Sequence, residues 1–170
     1  FRTLAGQELG ARSVGLVGFG AVGREVARRL AGFGTRVLVH DPYLAQGAAV
    51  AEGAEALALD ELLAASDIVS LHLPVSEDTR GLIAANELAA MKEGAFLINT
   101  ARGALVDEDA LLASLESGHL AGAALDVFSV EPPGADHPLL ARDDVLVTPH
   151  IGGNTAEVAG HQGRTIADDL

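Results

Sequence analysis

Short apolar runs alternate with amphipathic stretches from one end of the chain to the other. The runs Ser13–Val17, Arg36–Asp41, Asp67–Leu73, Ala95–Thr100, Leu120–Val127 and Val145–Thr148 predict strands, with a brief one near Glu55–Leu57. They carry little period-two alternation, which is the pattern of strands buried on both faces, hence of a parallel sheet covered by helices. Helices are predicted near Ala21–Ala31, Asp60–Ala65, Ala85–Met91 and Asp107–Ser117, with a last one starting at Thr155 and running to the end. The Asp107 segment illustrates the consistency of local signals. Asp107 is placed to cap it, Glu108 and Asp109 face the positive end of its dipole, and Gly118 closes it. Val106 and Leu111 are spaced as a hydrophobic staple.

The first strand runs into Gly18-Phe-Gly-Ala-Val-Gly23, and the second ends at Asp41, 18 residues after the last glycine. The three glycines have the G-x-G-x-x-G spacing, and the carboxylate stands where it would accept hydrogen bonds from an adenosine ribose. Gly18 permits a tight turn, Gly20 lets backbone approach a pyrophosphate, and Gly23 lets the helix pack closely on the strand. The helix N–H groups then face the phosphates. In this strand–turn–helix–strand setting the motif points to an α/β, Rossmann-type, doubly wound parallel sheet with helices on both faces, binding a dinucleotide. The Asp41 carboxylate would repel a 2′-phosphate and no arginine follows it closely, so NAD is expected over NADP.

Composition narrows the classes further. A chain of 170 residues suits one dinucleotide-binding domain spanning 1–170, and its start at Phe1 gives it the look of an excised domain. A net charge of −13 argues against nucleic acid, whose phosphates require lysine and arginine. No apolar run approaches the roughly 20 residues of a membrane span, and no signal peptide is visible. With no cysteine there is neither a disulfide nor a thiolate site, as fits a reducing cytoplasm. No metal-ligand spacing appears among the histidines.

Four polar residues stand where strands give way to loops: Arg102, Asp126, Glu131 and His150. In a parallel sheet all four emerge on the edge that carries the glycine turn. The set suits hydride transfer between a 2-hydroxy acid and nicotinamide. Histidine, with an unperturbed pKa of about 6.5, is the side chain suited to move the alcohol proton near neutral pH. A neighbouring carboxylate such as Glu131 would fix its tautomer and favour the imidazolium. Arginine supplies the fixed fork of donors that a substrate carboxylate and carbonyl call for. Asp126 is left to face the nicotinamide. Plainer roles exist for each: Arg102 pairing with Asp107 or Glu108, Asp126 capping a turn, Glu131 as a solvated loop carboxylate, and His150 as a structural histidine. His40, His119, His137 and His161 are expected at surface or packing positions, and His72 as a structural residue beside the cofactor edge.

Seven ordered segments carry a resemblance across nearly the whole chain: Gly18–Gly23, His40-Asp-Pro42, Leu71-His-Leu-Pro74, Asn99-Thr-Ala-Arg-Gly103, Ala124-Leu-Asp-Val-Phe128, Glu131-Pro132 and Thr148-Pro-His-Ile-Gly-Gly153. Together they resemble the D-isomer-specific 2-hydroxyacid dehydrogenases, in particular the phosphoglycerate-dehydrogenase-like members. The resemblance implies that Arg102 binds the substrate carboxylate and carbonyl, that His150 is the acid/base and that Glu131 is its partner. It implies NAD contacts from Gly18, Gly20, Ala21, Val22, Gly23, Asp41, Leu73, Thr100, Ala101, Arg102, Asp126, His150, Ile151, Gly152 and Gly153. It also implies a homodimer, and a second, substrate-binding domain absent from this chain, without which turnover by the isolated domain is not expected. A nucleotide-sensing protein of the corepressor type, on the same fold and with the same residues, is the alternative from a different functional class.

Overall fold

The structure is a computed structural model that describes residues 6–47 and 53–158. Its centre is one sheet of seven parallel strands: β1 (Ser13–Val17), β2 (Arg36–His40), β3 (Glu55–Ala56), β4 (Ile68–Leu71), β5 (Ala95–Asn99), β6 (Leu120–Leu125) and β7 (Val145–Val147). The strand order is β3-β2-β1-β4-β5-β6-β7, so the chain reverses its direction of travel between β1 and β4. In such sheets a ligand crevice opens beyond the carboxyl ends of the strands at that reversal.

Helix α1 (Ala21–Ala31) packs Val26, Ala27 and Leu30 on Val14, Leu16, Val37 and Val39. The opposite face, bearing Val17, Leu38, Val69, Leu71 and Leu97, is covered by α2 (Leu59–Ala65), α3 (Ala85–Ala90) and α4 (Glu108–Glu116). Gly15 sets one of these distances, because a β-carbon there would lie 2.5 Å from Leu62 Cδ2 and α2 could not settle onto β1. Every strand predicted from the apolar runs is present, but six of the seven end one or two residues early. Asp41, Thr100, Asp126 and Thr148 lie just past the last ladder residue. There Asp41 and Asp126 accept hydrogen bonds from main-chain N–H groups of neighbouring turns instead of continuing the sheet.

The predicted signals of α4 are realised. Asp107 Oδ1 accepts from the N–H groups of Asp109 (3.1 Å) and Ala110 (3.0 Å), and Gly118 adopts φ +75°. Val106 and Leu111 are both buried in the same core. Each histidine outside the crevice has a local partner where described: His40 Nδ1 meets Leu57 O at 3.1 Å, and His119 Nε2 meets Leu88 O at 3.1 Å. His72 Nε2 meets Ser70 Oγ at 3.0 Å, and its burial pushes the imidazole pKa down. His161 and most of the helix expected from Thr155 lie outside the described residues; Thr155–Val158 form a turn. No described helix is long and apolar enough to cross a membrane.

Candidate active site

The glycine turn and Asp41 build the first part of the site. Gly18 takes φ +95°, and a β-carbon there would lie 2.6 Å from the carbonyl oxygen of His72 and 3.0 Å from Leu73 Cβ. The turn is therefore pressed against the end of β4, which places Leu73 beside it. A β-carbon on Gly23 would fall 2.3 Å from Gly18 O, so this residue permits the close packing of α1 on the turn. Gly20 is different: the space where its β-carbon would project is empty to 4 Å. Asp41 fastens the turn, accepting from Phe19 N–H at 2.8 Å with Oδ2 and from Tyr43 N–H at 3.0 Å with Oδ1. Each oxygen keeps a lone pair for a hydroxyl.

A pyrophosphate fits this cradle on electrostatic grounds. No side chain caps α1, and its first turn holds no acid, whereas α2, α3 and α4 each carry Asp or Glu in theirs. The N–H groups and positive dipole end of α1 are thus left for an anion from outside the chain, in front of the open space at Gly20. Ala21 and Val22 are exposed there.

The second part of the site grows from β5 and β6. Asn99 is buried, and its side chain pins the following turn: Oδ1 accepts from Ala101 N–H at 3.1 Å and Nδ2 donates to Arg102 O at 2.9 Å. Thr100 and Arg102 are exposed on the rim, and Arg102 Nη1 donates to Ala101 O at 2.6 Å. The expected alternative for Arg102, an ion pair with Asp107 or Glu108, is not formed. Asp107 caps α4, and Glu108 accepts from Ser129 N–H at 2.6 Å and meets His137 Nε2 at 3.2 Å.

Asp126 is buried and organises the loop after β7. Its Oδ1 accepts from Thr148 Oγ1 (2.5 Å) and Ile151 N–H (2.8 Å), its Oδ2 from Gly152 N–H (2.7 Å), and its carbonyl from His150 N–H (2.9 Å). Burial alone would raise this carboxyl's pKa, but the donors from Thr148, Ile151 and Gly152 outweigh it and hold the group below the usual carboxylate range. His150 adopts φ +52°, a conformation that costs a non-glycine residue energy and persists only where neighbours over-determine it. Asp126 supplies that determination on both sides of His150. Gly152 belongs to the same device, since a β-carbon there would lie 2.9 Å from Asp126 Oδ2 and 3.9 Å from Thr100 Cβ.

His150 and Glu131 meet as the sequence suggested. Nδ1 of the imidazole lies 2.6 Å from Glu131 Oε2, while Glu131 Oε1 accepts from Phe128 N–H at 3.0 Å. These donors, His150 foremost, hold the Glu131 carboxyl below its ordinary pKa. An ionised carboxylate has no proton to offer, so the shared proton sits on Nδ1 and leaves Nε2 free to take or give another. Against the pair lies a cavity of about 330 Å³ walled by Phe128, Pro132, Pro133, Val147 and Pro149. Ile151 is half-exposed and Gly153 open to solvent on the same loop. Among the described residues no cluster of metal-ligating side chains occurs.

Sequence reasoning did not assign three side chains that hold the loops at this edge. Asn99 was legible in principle, as an Asx residue opening a turn at a strand end. Glu108 and His137 were not, because they meet only through the fold.

Comparison with known proteins identifies the family. Residues 2–152 match the family described as D-isomer specific 2-hydroxyacid dehydrogenase, NAD binding domain. The chain is 44% identical over 168 residues to D-3-phosphoglycerate dehydrogenase of Mycobacterium leprae, covering 99% of this chain and 32% of that protein, so it spans about a third of that relative's length. The crystal structure of NAD-dependent formate dehydrogenase from Staphylococcus aureus in complex with NAD superposes with a TM-score of 0.86 at 36% identity, over 96% of this chain and 48% of that one. A D-isomer specific 2-hydroxyacid dehydrogenase from Xanthobacter autotrophicus Py2, in complex with NADPH, gives 0.80 at 42% identity, over 87% and 47%. Because the family match runs through residues 2–152, the chain belongs to the D-isomer specific 2-hydroxyacid dehydrogenases as their NAD-binding domain.

Proposed function

We propose that the complete protein moves a hydride between NAD(H) and a D-2-hydroxy acid or its 2-keto acid, and that His150 is the acid/base. The observation that carries this reading is the 2.6 Å contact between His150 Nδ1 and Glu131, on the sheet edge that bears the glycine turn. When bound, the nicotinamide supplies or accepts the hydride. The chain's own residues handle the proton and the charge. In the reducing direction His150 Nε2 gives a proton to the carbonyl oxygen as the hydride reaches the carbon. Glu131 fixes the tautomer and balances the imidazolium before that transfer. Arg102, exposed on the neighbouring rim, engages the substrate carboxylate and carbonyl oxygen. Asp41 receives the adenosine ribose and disfavours a 2′-phosphate.

The reading includes a second domain that closes over the substrate, a homodimer paired through this domain, and a cytoplasmic setting. A monomeric mass for the full-length protein would count against the dimer. For the chemistry, His150→Ala in the full-length protein should lower turnover of 2-keto acids by about 10²–10⁴-fold, the usual loss of a proton-transfer group. NADH affinity should stay near that of the parent. Turnover that survives the substitution overturns the assignment. A parent protein that turns over no 2-keto acid, yet binds a protein partner only with NADH, would instead favour the corepressor alternative.

A further inference from the structure

The loop that carries Glu131 is closed at both ends by one carboxylate. Glu108, in the first turn of α4, accepts from Ser129 N–H at 2.6 Å with Oε1, and its Oε2 meets His137 Nε2 at 3.2 Å. Ser129 stands two residues before Glu131 and His137 six after it, so this carboxylate staples the two ends of the loop together. The Glu108 side chain is 17% exposed and that of His137 23%, so their contact is partly shielded from water, whereas Ser129 itself is exposed. The His137 ring also stands edge-on to Phe128, with centroids 5.2 Å apart and planes at 75°. Phe128 in turn donates its N–H to Glu131 Oε1. Glu108 thus holds Ser129 directly, and through His137 and Phe128 it is linked to the carboxylate behind His150.

We propose that Glu108 and His137 are positioning residues for the acid–base pair: they fix the loop so that Glu131 meets His150 Nδ1. Neither touches His150, and both act through Glu131. Without the staple the loop keeps its glycine and prolines, Pro132-Pro-Gly134, but loses the fixed register of Glu131 against the imidazole. Proton transfer depends on heavy-atom distances held to a few tenths of an ångström, and a misplacement of about 1 Å can cost about 10²-fold. The proposal rests on the reading of Glu131 and His150 as the proton-handling pair.

A double-mutant cycle in the full-length protein tests it. Glu108→Ala is expected to lower kcat about 10- to 100-fold with little change in NADH affinity. Its pH profile should move in the same direction as that of Glu131→Gln. In the Glu131→Gln background, Glu108→Ala should then cost almost nothing more, because residues acting through one group do not add. His137→Phe, which keeps a ring against Phe128 but removes the contact to Glu108, provides a second probe should the alanine variant fold poorly. It should show the same loss of kcat and the same non-additivity. If Glu131→Gln lowers kcat while both variants contribute their full factor on top of it, the positioning role is overturned and the acid–base reading stands. If Glu131→Gln leaves turnover and its pH profile intact, the acid–base reading itself fails.

Discussion

Gly103 and Phe128 are in backbone contact: a β-carbon on Gly103 would fall 1.9 Å from the carbonyl carbon of Phe128. The turn that presents Arg102 and the loop that presents Glu131 therefore share one fixed seam between the ends of β5 and β6. No side chain can relax this overlap, since the opposing atoms are backbone. Gly103→Ala should destabilise the fold by about 1–3 kcal/mol or more, as overpacking does, and should lower kcat beyond what its melting curve explains. Thermal unfolding and steady-state kinetics on the same preparation check both. An alanine variant with unchanged kcat would mean that the seam does not govern the site.

Asp126 makes a second prediction. It accepts four hydrogen bonds from Thr148, His150, Ile151 and Gly152, three of them with its carboxylate. Asp126→Asn keeps the shape but turns an NH₂ group toward one of the donors, leaving a buried N–H unpaired. The expected loss is about 1–3 kcal/mol of stability. The His150 backbone, held at φ +52°, should relax with it, so kcat falls even though the imidazole is still present. Solvent-exchange protection of the Ile151 and Gly152 amides reports the clamp directly, and unaltered protection in the variant would contradict it.

These two cases show how far the sequence alone reaches. The strands and the glycine turn were legible because their signals are local: unbroken apolar runs, glycine spacing, an aspartate at a strand end. The His150–Glu131 pair was legible from the resemblance and from the rule that parallel strands deliver their carboxyl ends to one edge. The role of Asp126 as the holder of residues 148–152 was not, because its donors are main-chain N–H groups about 25 positions away and leave no mark in residue types. Glu108 read as a residue favoured by a helix dipole, which it also is. Only the packing of α4 beside the loop after β6 brings Ser129 and His137 to its two oxygens.

The proposed ribose contact of Asp41 predicts the cofactor choice. Its oxygens are held by Phe19 and Tyr43 N–H groups, so the carboxylate cannot swing away to make room for a 2′-phosphate. Like charges brought together in a binding site cost several kcal/mol, which corresponds to NADPH binding about 100-fold or more weaker than NADH. Titration of the full-length protein with both nucleotides measures this, and comparable affinities would refute it. Asp41→Asn should narrow the gap while weakening NADH modestly, since the ribose keeps one acceptor.

At the opposite edge of the sheet, Asp67 ties the start of β4 to the start of β1 and predicts an acid limit for the fold. Its Oδ2 accepts from Ser13 N–H and Oγ, each at 2.8 Å, and its Oδ1 lies 3.1 Å from Lys92 Nζ and 3.6 Å from Arg12 Nη1. Burial pushes the carboxyl pKa up, but the bonds from Ser13 and the Lys92 ammonium outweigh it and bring it from 3.8 down to about 2. A folded-state pKa below the unfolded value means that the folded protein holds the proton less tightly. The contribution is therefore complete above pH 3.8 and is lost as pH falls through about 2. A shift of this size amounts to about 2 kcal/mol at most, discounted because Lys92 and Arg12 are partly solvated. Asp67→Asn should flatten the fall in stability over that acid window, measured by denaturant unfolding at a series of pH values. At neutral pH the variant should leave the turnover of the full-length protein unchanged, because Asp67 sits at the amino ends of the strands and the reacting groups at their carboxyl ends. An unaltered acid slope in the variant would show that Ser13 and Lys92 do not depress this carboxyl in the folded state.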